Sequence, residues 1–467
     1  MLSRLRNCLA ALMLAGAAFP AAAHDGPLDL RFGDGGMRNY SFQSVNGSGR
    51  TDRAAVACAG PDGTLVVTGI ASEAQRIVTM RLLPDGAYDP AFGGGDGRES
   101  FALPATPEYF TAGLCLPEAR ILLARRVRVD ESGEMNIQLL RIDANTGLLD
   151  PAFGQNGVVM LDLDTWQGGL GRTESPYALV ALDGGEVLLT GHASLPDRIV
   201  AFAALVTTAG QIPVARVYVD APDRETAATF MTAMLASDGN IWGVIEGKQR
   251  RSDRVTPFRV RFDRRTLEWL DVPDALPGTT GDQVYGGVGT RVREDVLAVP
   301  LLQHVAGTTP PQSLPGLMIY RAGGKVFLPL PPPNLPGESL NFPLTYGTQS
   351  ATLLPGGRVL FAAAVGHPGD NAPRGMHLAV VQVGTSIGSD RVDTSFGVNG
   401  AQTAAFRPIG GSCTNVLAAQ RFSAGTVWAG QPVLVGDVDS GCNNDGGGID
   451  YLVARIAVDR IFANGLD

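Results

Sequence analysis

The chain has 467 residues, of which 60 are glycine and 31 are proline, and its formal net charge at pH 7 is −9. An acidic chain without a basic cluster argues against nucleic acid and anionic membrane surfaces as partners. After the N-terminus, no apolar run approaches the roughly 18 residues that a membrane-spanning helix needs. The composition therefore predicts a soluble chain with no membrane span and no nucleic-acid partner.

The first 23 residues predict an export signal. A positively charged start is followed by a short apolar stretch at residues 9–19 and by an Ala-Ala-Ala cleavage site at residues 21–23. Residues 24–467 would then form the mature protein, in the periplasm or outside the cell.

A short motif, Asp-x-x-Phe-Gly, recurs along the chain, and we call it the DxxFG motif. Its copies are Asp29, Phe32 and Gly33; Asp89, Phe92 and Gly93; Asp150, Phe153 and Gly154; and Asp393, Phe396 and Gly397. The first three phenylalanines lie 60 and 61 residues apart. A fixed period of this size is typical of a repeat architecture.

A second feature falls roughly 30 residues after the motif. It is a tight turn followed by an alternating Val/Leu run, as in residues 61–69, and this pattern predicts a turn that enters a strand. Seven copies occur, and each unit holds text for about four short strands. The sequence therefore predicts an all-β fold: a single seven-bladed β-propeller of four-stranded antiparallel blades over residues 24–467.

Each end of the chain carries half a repeat. Residues 28–42 contain the motif and one strand, while residues 449–458 contain the strand that precedes the motif in other units. Half a repeat leaves strand edges unpaired. We therefore expect the N-terminal strand to pair with the C-terminal strands and close the ring.

The residues of the DxxFG motif have structural explanations. The aspartate can accept a hydrogen bond from the backbone of its own turn, the phenylalanine can fill the space between blades, and the glycine can take a positive φ. The alternative is a ring of calcium ligands. That alternative is disfavoured because each aspartate is solitary within its motif.

The repeat resembles the bacterial delta-60 repeat family, with its aspartate–phenylalanine–glycine motif and later Asp-Gly turn. The match is good at residues 26–101, 141–163, 180–191 and 381–406 and poor between residues 205 and 345. The resemblance implies an exported propeller. It implies no activity and no catalytic residues, because the family has none assigned.

Four cysteines remain after the predicted signal: Cys58, Cys115, Cys413 and Cys442. An even number in an exported protein predicts two disulfides. We favour Cys58–Cys115 and Cys413–Cys442, because these pairs join near neighbours in the repeat. The alternative is buried free thiols, whereas a metal site lacks the usual ligand spacing.

One loop near the C-terminus is rich in oxygen ligands, and it is the candidate for a Ca²⁺ site. The candidate ligands are Asp437, Asp439, Asn443, Asp445 and Asp450. Acids and asparagines in a glycine-rich loop suit Ca²⁺, which takes six to eight oxygens. The alternative is a solvated hairpin loop, and no other cofactor is expected.

Catalytic motifs are absent from the sequence. It contains no nucleophile elbow, phosphate loop, dinucleotide fingerprint or His-Glu-x-x-His motif. His192, His304 and His367 each follow a predicted second strand, but their blades are not mutually adjacent, which disfavours a shared metal site. Paired acids drawn from distant blades would not be visible as a motif.

The sequence thus favours a non-catalytic exported propeller, a monomer that binds a protein or a glycan. The alternative is a hydrolase or lyase with its site at the mouth of the central channel. The fold does not decide between them, because propellers carry many activities.

Overall fold

The computed structural model describes most of the repeat region. The described residues are 28–33, 36–40, 52–71, 76–102, 107–129, 133–167, 173–196, 198–218, 224–249, 255–271, 274–275, 283–305, 312–332, 349–365, 375–397, 399–405, 421–428, 430–439 and 449–457. The predicted signal at residues 1–23 lies outside them. Among the described residues no helix is long enough to cross a membrane.

The first half of the chain contains thirteen strands and one short helix in the described ranges. After β1 (Met37–Tyr40) come β2 (Asp52–Ala59), β3 (Leu65–Ala71), β4 (Arg76–Leu82) and β5 (Arg98–Ala102). The next group is β6 (Pro107–Leu116), β7 (Arg120–Arg128), β8 (Met135–Asp143) and β9 (Val158–Leu161), followed by helix α1 (Asp164–Gln167). The third group is β10 (Thr173–Ala181), β11 (Val187–Ser194), β12 (Ile199–Val206) and β13 (Val214–Tyr218).

The second half continues in the same way. A four-strand group comprises β14 (Arg224–Leu235), β15 (Ile241–Gln249), β16 (Val255–Phe262) and β17 (Asp274–Ala275). The next is β18 (Gln283–Gly286), β19 (Thr290–Arg293), β20 (Val296–Val305), β21 (Gln312–Arg321) and β22 (Gly324–Pro329). Then come β23 (Gln349–Leu354), β24 (Arg358–Val365), β25 (Gly375–Gln382), β26 (Arg391–Val392) and β27 (Ala401–Ala405). The last strands are β28 (Arg421–Trp428), β29 (Gln431–Asp439) and β30 (Ile449–Arg455).

Within each group the paired strands run antiparallel, so the predicted all-β class with four-stranded antiparallel sheets is confirmed. In two groups an additional strand pairs beside this path: β19 with β20, and β27 with β25. The last sheet has the order β1-β30-β29-β28, with Met37 opposite Ala454 and Tyr40 opposite Tyr451. The groups β6–β9 and β10–β13 share one hydrogen-bonded sheet through a single parallel pair, Thr173 with Met135. Hydrogen bonding alone therefore does not separate seven blades.

The second strands are buried on both faces. Every residue of β3, for example, is buried, because a sheet lies against each of its sides. This explains why the second strands read as nearly continuous Val/Leu/Ala runs rather than as alternating apolar and polar residues.

An arginine, an aspartate and a phenylalanine form a repeated contact around the DxxFG motif. In the sheet β2–β5, Arg81 of β4 donates to Asp89 at 2.6 Å, and its guanidinium lies 4.8 Å from the ring centre of Phe92. The Asp89 Oδ1 also accepts a hydrogen bond from Ala91 N at 2.9 Å. We call this set an arginine clamp. The other two copies are Arg141 with Asp150 and Phe153, and Arg455 with Asp29 and Phe32.

The phenylalanine of each clamp lies against the next sheet. Phe92 packs on Gly147, where a Cβ atom would come within 2.7 Å of the ring. Gly147 has a φ of +76°, so both its backbone and its contact exclude a side chain. The equivalent contacts are Phe32 on Gly86 and Phe153 on Gly210. At these three places the motif therefore joins one sheet to the next.

The core consists of clusters that lie between neighbouring sheets. Each of the described clusters combines buried side chains of two sheets that follow each other in the chain, or of the last and the first sheet. In the cluster between the last and first sheets, Val433 and Val435 of β29 share the core with Leu65 and Val67 of β3. Burial of these faces provides the main stabilisation of the sheet packing.

A disulfide joins the first strands of two neighbouring sheets. Cys58 of β2 is bonded to Cys115 of β6, as predicted. The bridge closes a segment with a sequence separation of 57 residues. The second predicted pair, Cys413 with Cys442, lies outside the described residues.

Removing the N-terminal strand should destabilise the whole protein. Deleting residues 24–42 takes away β1 and the Asp29–Phe32 half of a clamp, which exposes the edge of β30. We expect a lower Tm in one transition, measured by calorimetry, than for a chain that lacks only residues 1–23. Equal melting of the two proteins would contradict a structural role for β1.

The clamp should contribute far more to the free energy of unfolding than an exposed ion pair does. Burial raises the pKa of Asp150, but the hydrogen bond from Ala152 N and the charges of Arg141 and Arg120 outweigh it and hold the pKa below its usual value. Asp150→Asn removes this carboxylate from two arginines, and we expect a loss of about 3 kcal/mol in unfolding free energy in urea.

The matched control is Asp96→Asn, which breaks the exposed pair with Arg98. That change should cost less than about 1 kcal/mol. Similar losses in the two variants would show that the clamp contributes no more than a surface contact.

Candidate functional site

Within each four-strand group, the first and third strands begin on the same side on which the second and fourth strands end. We call this side, which is formed by strand ends and not by an outer strand, the leading edge. The leading edges of β6–β9 and β10–β13 adjoin, because Thr173 at the start of β10 pairs with Met135 at the start of β8. Ionisable side chains from both groups meet there.

An arginine, a serine and a histidine meet at this junction. Arg126 near the end of β7 donates to the Ser175 hydroxyl, with Nη1 and Oγ 3.3 Å apart. Ser175 lies opposite His192 in the pairing of β10 with β11. Ser175 and His192 are buried, Arg126 is half-buried, and Arg128 two residues further along β7 is exposed. The arginines therefore form the solvent side of the group.

The histidine of this group is neutral at physiological pH. Burial, and to a lesser extent the positive charge of Arg126, lowers the pKa of His192 to about 4. A neutral imidazole next to a permanent cation can accept a proton from a bound molecule whose negative charge the arginine holds.

Four carboxyl groups lie on the same leading edge, and we call them the acidic cluster. Glu134 precedes β8, Asp162 and Asp164 follow β9, and Glu174 is the second residue of β10. One oxygen from each of Glu134, Asp162 and Asp164 lies within 4.8 Å of the others. All three are half-buried. The cluster concentrates negative charge between the two sheets.

Glu174 is the buried member of the cluster. It is fully buried, and its Oε1 accepts a hydrogen bond from Leu163 N at 3.1 Å. Its Oε2 has no hydrogen-bond partner among the described residues. The pKa of Glu174 is raised to about 8, chiefly by burial; the hydrogen bond from Leu163 N opposes this rise, and the charges of Asp162, Asp164 and Glu134 add to it.

An exposed aromatic residue belongs to the same region. Trp166 of α1 is 40% exposed, and its backbone N donates to Leu163 O at 3.0 Å. Its helix lies on the connection from β9 to β10, next to the acidic cluster. An exposed indole offers a flat apolar surface to a ligand.

The calcium ligands predicted near the C-terminus cannot be assembled from the described residues. The backbones of Asp437, Asp439 and Asp450 lie in β29 and β30, and Asn443 and Asp445 lie outside the described ranges. That site stays a prediction.

The other candidate residues of the sequence analysis are dispersed. The carboxylates of Asp29, Asp89 and Asp150 contact arginines in the clamps, and Asp393 lies 3.8 Å from Arg358. His304 ends β20 on a different sheet from His192, and His367 lies outside the described residues.

Sequence reasoning missed both the Arg126 group and the acidic cluster. Arg126, Ser175 and His192 come from three strands that are far apart in sequence, and no local motif connects them. One sequence feature could have indicated the acidic cluster. The Asp162-Leu-Asp164 segment and Glu174 flank the start of β10, where the repeat pattern has no acidic residue.

No protein-family model matches the sequence, and no curated protein matches it. An α-L-arabinanase of Penicillium chrysogenum, solved with arabinobiose, is similar in structure: it is 13% identical, the match covers 74% of this chain and 92% of that one, and the TM-score is 0.45. The polysaccharide lyase Uly1 is 10% identical over 89% of this chain and 92% of its own, with a TM-score of 0.45. An endo-arabinase from Bacteroides thetaiotaomicron is 10% identical over 62% and 95%, with a TM-score of 0.30.

The prediction of a non-catalytic binding module is corrected. It rested on the absence of a catalytic constellation, whereas the leading edge brings together ionisable groups with shifted pKa values. The delta-60 resemblance has no family match behind it and stays a prediction.

The buried histidines should make the protein sensitive to mild acid. Burial lowers the pKa of both His192 and His377 to about 4 from an ordinary 6.5. The unfolded chain then binds more protons than the folded one, so stability is full above pH 6.5 and falls as the pH drops towards 4. Between pH 6.5 and 4.5, each of the two histidines should lower the free energy of unfolding by about 1.4 kcal/mol for every pH unit, as measured by urea unfolding.

His192→Asn and His377→Asn should each reduce that slope, and the double variant should reduce it most. The single variants serve as controls for each other, since the two residues lie on different sheets. An unchanged slope in the double variant would contradict the assignment.

Proposed function

We propose that this protein is an exported enzyme that cleaves a glycan, with its active site on the leading edge where β6–β9 meets β10–β13. The observation that carries the proposal is the pair of Arg126 and His192, a permanent cation beside an imidazole that is neutral at pH 7. Perturbed ionisable groups at such a junction are a mark of catalytic sites.

The pair suits a lyase that acts on uronic acid residues. The Arg126 guanidinium would hold the uronate carboxylate, which makes the proton on the neighbouring carbon easier to remove. The His192 imidazole would take that proton as the general base. The released electron pair forms a carbon–carbon double bond, the glycosidic carbon–oxygen bond breaks, and the departing oxygen takes a proton from water. A hydrolase at the same place is the other form of the proposal.

Two further observations support a glycan as the substrate. Trp166 presents an exposed indole on the same leading edge, and the apolar face of a sugar ring can pack on it. The exposed Arg128 extends the positive charge of Arg126 along β7. An extended anionic polymer could use both arginines, since adjacent sugar residues each carry a carboxylate.

We also infer that the sheets form a ring of seven blades, with β6–β9 and β10–β13 counted as two. The support is the order of the hydrophobic clusters, which pair each group with the next and the last with the first. The β1–β30 pairing supports closure of this ring. The Cys58–Cys115 disulfide supports export, since disulfides persist in oxidising compartments.

The test is an activity assay on the mature chain. The protein is incubated with uronate-containing polysaccharides and with neutral arabinan, and products are followed by reducing ends and by the ultraviolet absorbance of a new double bond. We expect double-bond products from a uronate polymer. His192→Ala should lower kcat by about 100-fold or more, and Arg126→Gln should raise KM for the charged polymer.

Arg98→Gln is the matched control, because it removes an arginine of β5 that is remote from the junction. Reducing ends without a double bond would show that the enzyme is a hydrolase and not a lyase. Full activity of His192→Ala would show that the active site does not lie at this junction, and no cleavage of any polymer would overturn the proposal.

A further inference from the structure

The acidic cluster is not used by the proposed reaction, and its composition points to a cation. Its side chains come from two sheets: Glu134 and the Asp162–Asp164 segment flank β8 and β9, while Glu174 belongs to β10. Oxygens of Glu134, Asp162 and Asp164 lie within 4.8 Å of one another. Like charges at this spacing repel each other, and a cation bound among them would reduce that repulsion.

Glu174 supplies an independent observation. Its carboxyl is fully buried and feels the charges of the other three acids. Leu163 N occupies one oxygen, and the second oxygen has no hydrogen-bond partner among the described residues. A buried acceptor without a partner is costly. A cation next to this oxygen would satisfy it.

We propose that Glu134, Asp162, Asp164 and Glu174 bind one Ca²⁺ ion between the two groups of strands. The donors are all carboxylate oxygens, which hard cations prefer. Two ligands on opposite sides of Ca²⁺ lie about 5 Å apart, given Ca–O distances of 2.3–2.6 Å. The oxygens of Glu134, Asp162 and Asp164 lie within 4.8 Å of one another, so one Ca²⁺ ion can contact all three. Water or backbone oxygens complete the coordination.

The local backbone prepares this arrangement. Asp164 N donates to Asp162 Oδ1 at 2.9 Å, which fixes the two aspartates relative to each other. The Thr173–Met135 pair brings Glu174 and Glu134 into the same region, since Glu174 follows Thr173 and Glu134 precedes Met135. Bound Ca²⁺ would link the two groups at the point where a single parallel pair joins them. The site does not depend on the proposed lyase activity.

The test is calcium binding by the full mature chain after treatment with EDTA. Titration with CaCl₂ is followed by calorimetry, and Tm is measured with and without Ca²⁺, with MgCl₂ as the competing ion. We expect Ca²⁺ binding with a rise in Tm, and a much smaller rise with Mg²⁺. Asp162→Asn/Asp164→Asn should weaken binding at least about tenfold, because affinity follows the ligand charge.

The predicted loop near the C-terminus is a second source of calcium binding, so variants must separate the two. Asp437→Asn/Asp439→Asn is the matched control, and it should leave the binding event of the acidic cluster intact. Glu134→Gln, at a half-buried position, tests the cluster if the double variant does not fold. Unchanged binding in both cluster variants, or no Ca²⁺ effect on the native chain, would overturn the proposal.

Discussion

A guanidinium held by a carboxylate and stacked over a phenylalanine connects neighbouring sheets of this protein. Arg81, for example, contacts both Asp89 and Phe92, and the ring then lies on Gly147 of the next sheet. A buried ion pair is stable only when its remaining hydrogen bonds are satisfied, and Ala91 N satisfies the Asp89 carboxylate. At the three clamps, the packing of one sheet on the next therefore includes a polar contact whose hydrogen bonds are satisfied locally.

In the middle of the chain the DxxFG motif is absent, but an aromatic contact between sheets and an arginine–aspartate contact remain. There Trp269 occupies the position of Tyr88, the residue before Asp89, since it bridges Phe262 as Tyr88 bridges Leu82. It packs on Tyr218 of the preceding sheet and on Phe262, at centroid distances of 5.1 and 5.5 Å. Arg261 still contacts an acid, Asp271, at 3.2 Å. A different aromatic residue and a shifted aspartate thus preserve the contact between sheets, which is why the sheets continue where the repeat is hard to read.

The sequence predicted the fold far better than the site. The fold follows from features that are local or periodic in the sequence, so they can be read directly. They are the Val/Leu-rich strand segments, turns such as Pro61-Asp-Gly63 and the spacing of Phe32, Phe92 and Phe153. The pairing of Cys58 with Cys115 followed from the same period. Arg126, Ser175 and His192 meet only because two sheets adjoin, and the burial that shifts the pKa of His192 has no sequence signature. The expectation of a non-catalytic module failed for that reason.

The pairing of β1 with β30 has a consequence for the order of events during synthesis. Met37 is made long before its partner Ala454. Until β30 has been made, β1 has no strand to pair with, and the segment that separates the two must be closed at an entropic cost before any contact repays it. The pairing of β1 with β30 therefore follows the synthesis of all the strands between them. A ribosome that stalls before β30, or a protease that clips the tail, leaves two open strand edges and a chain prone to association.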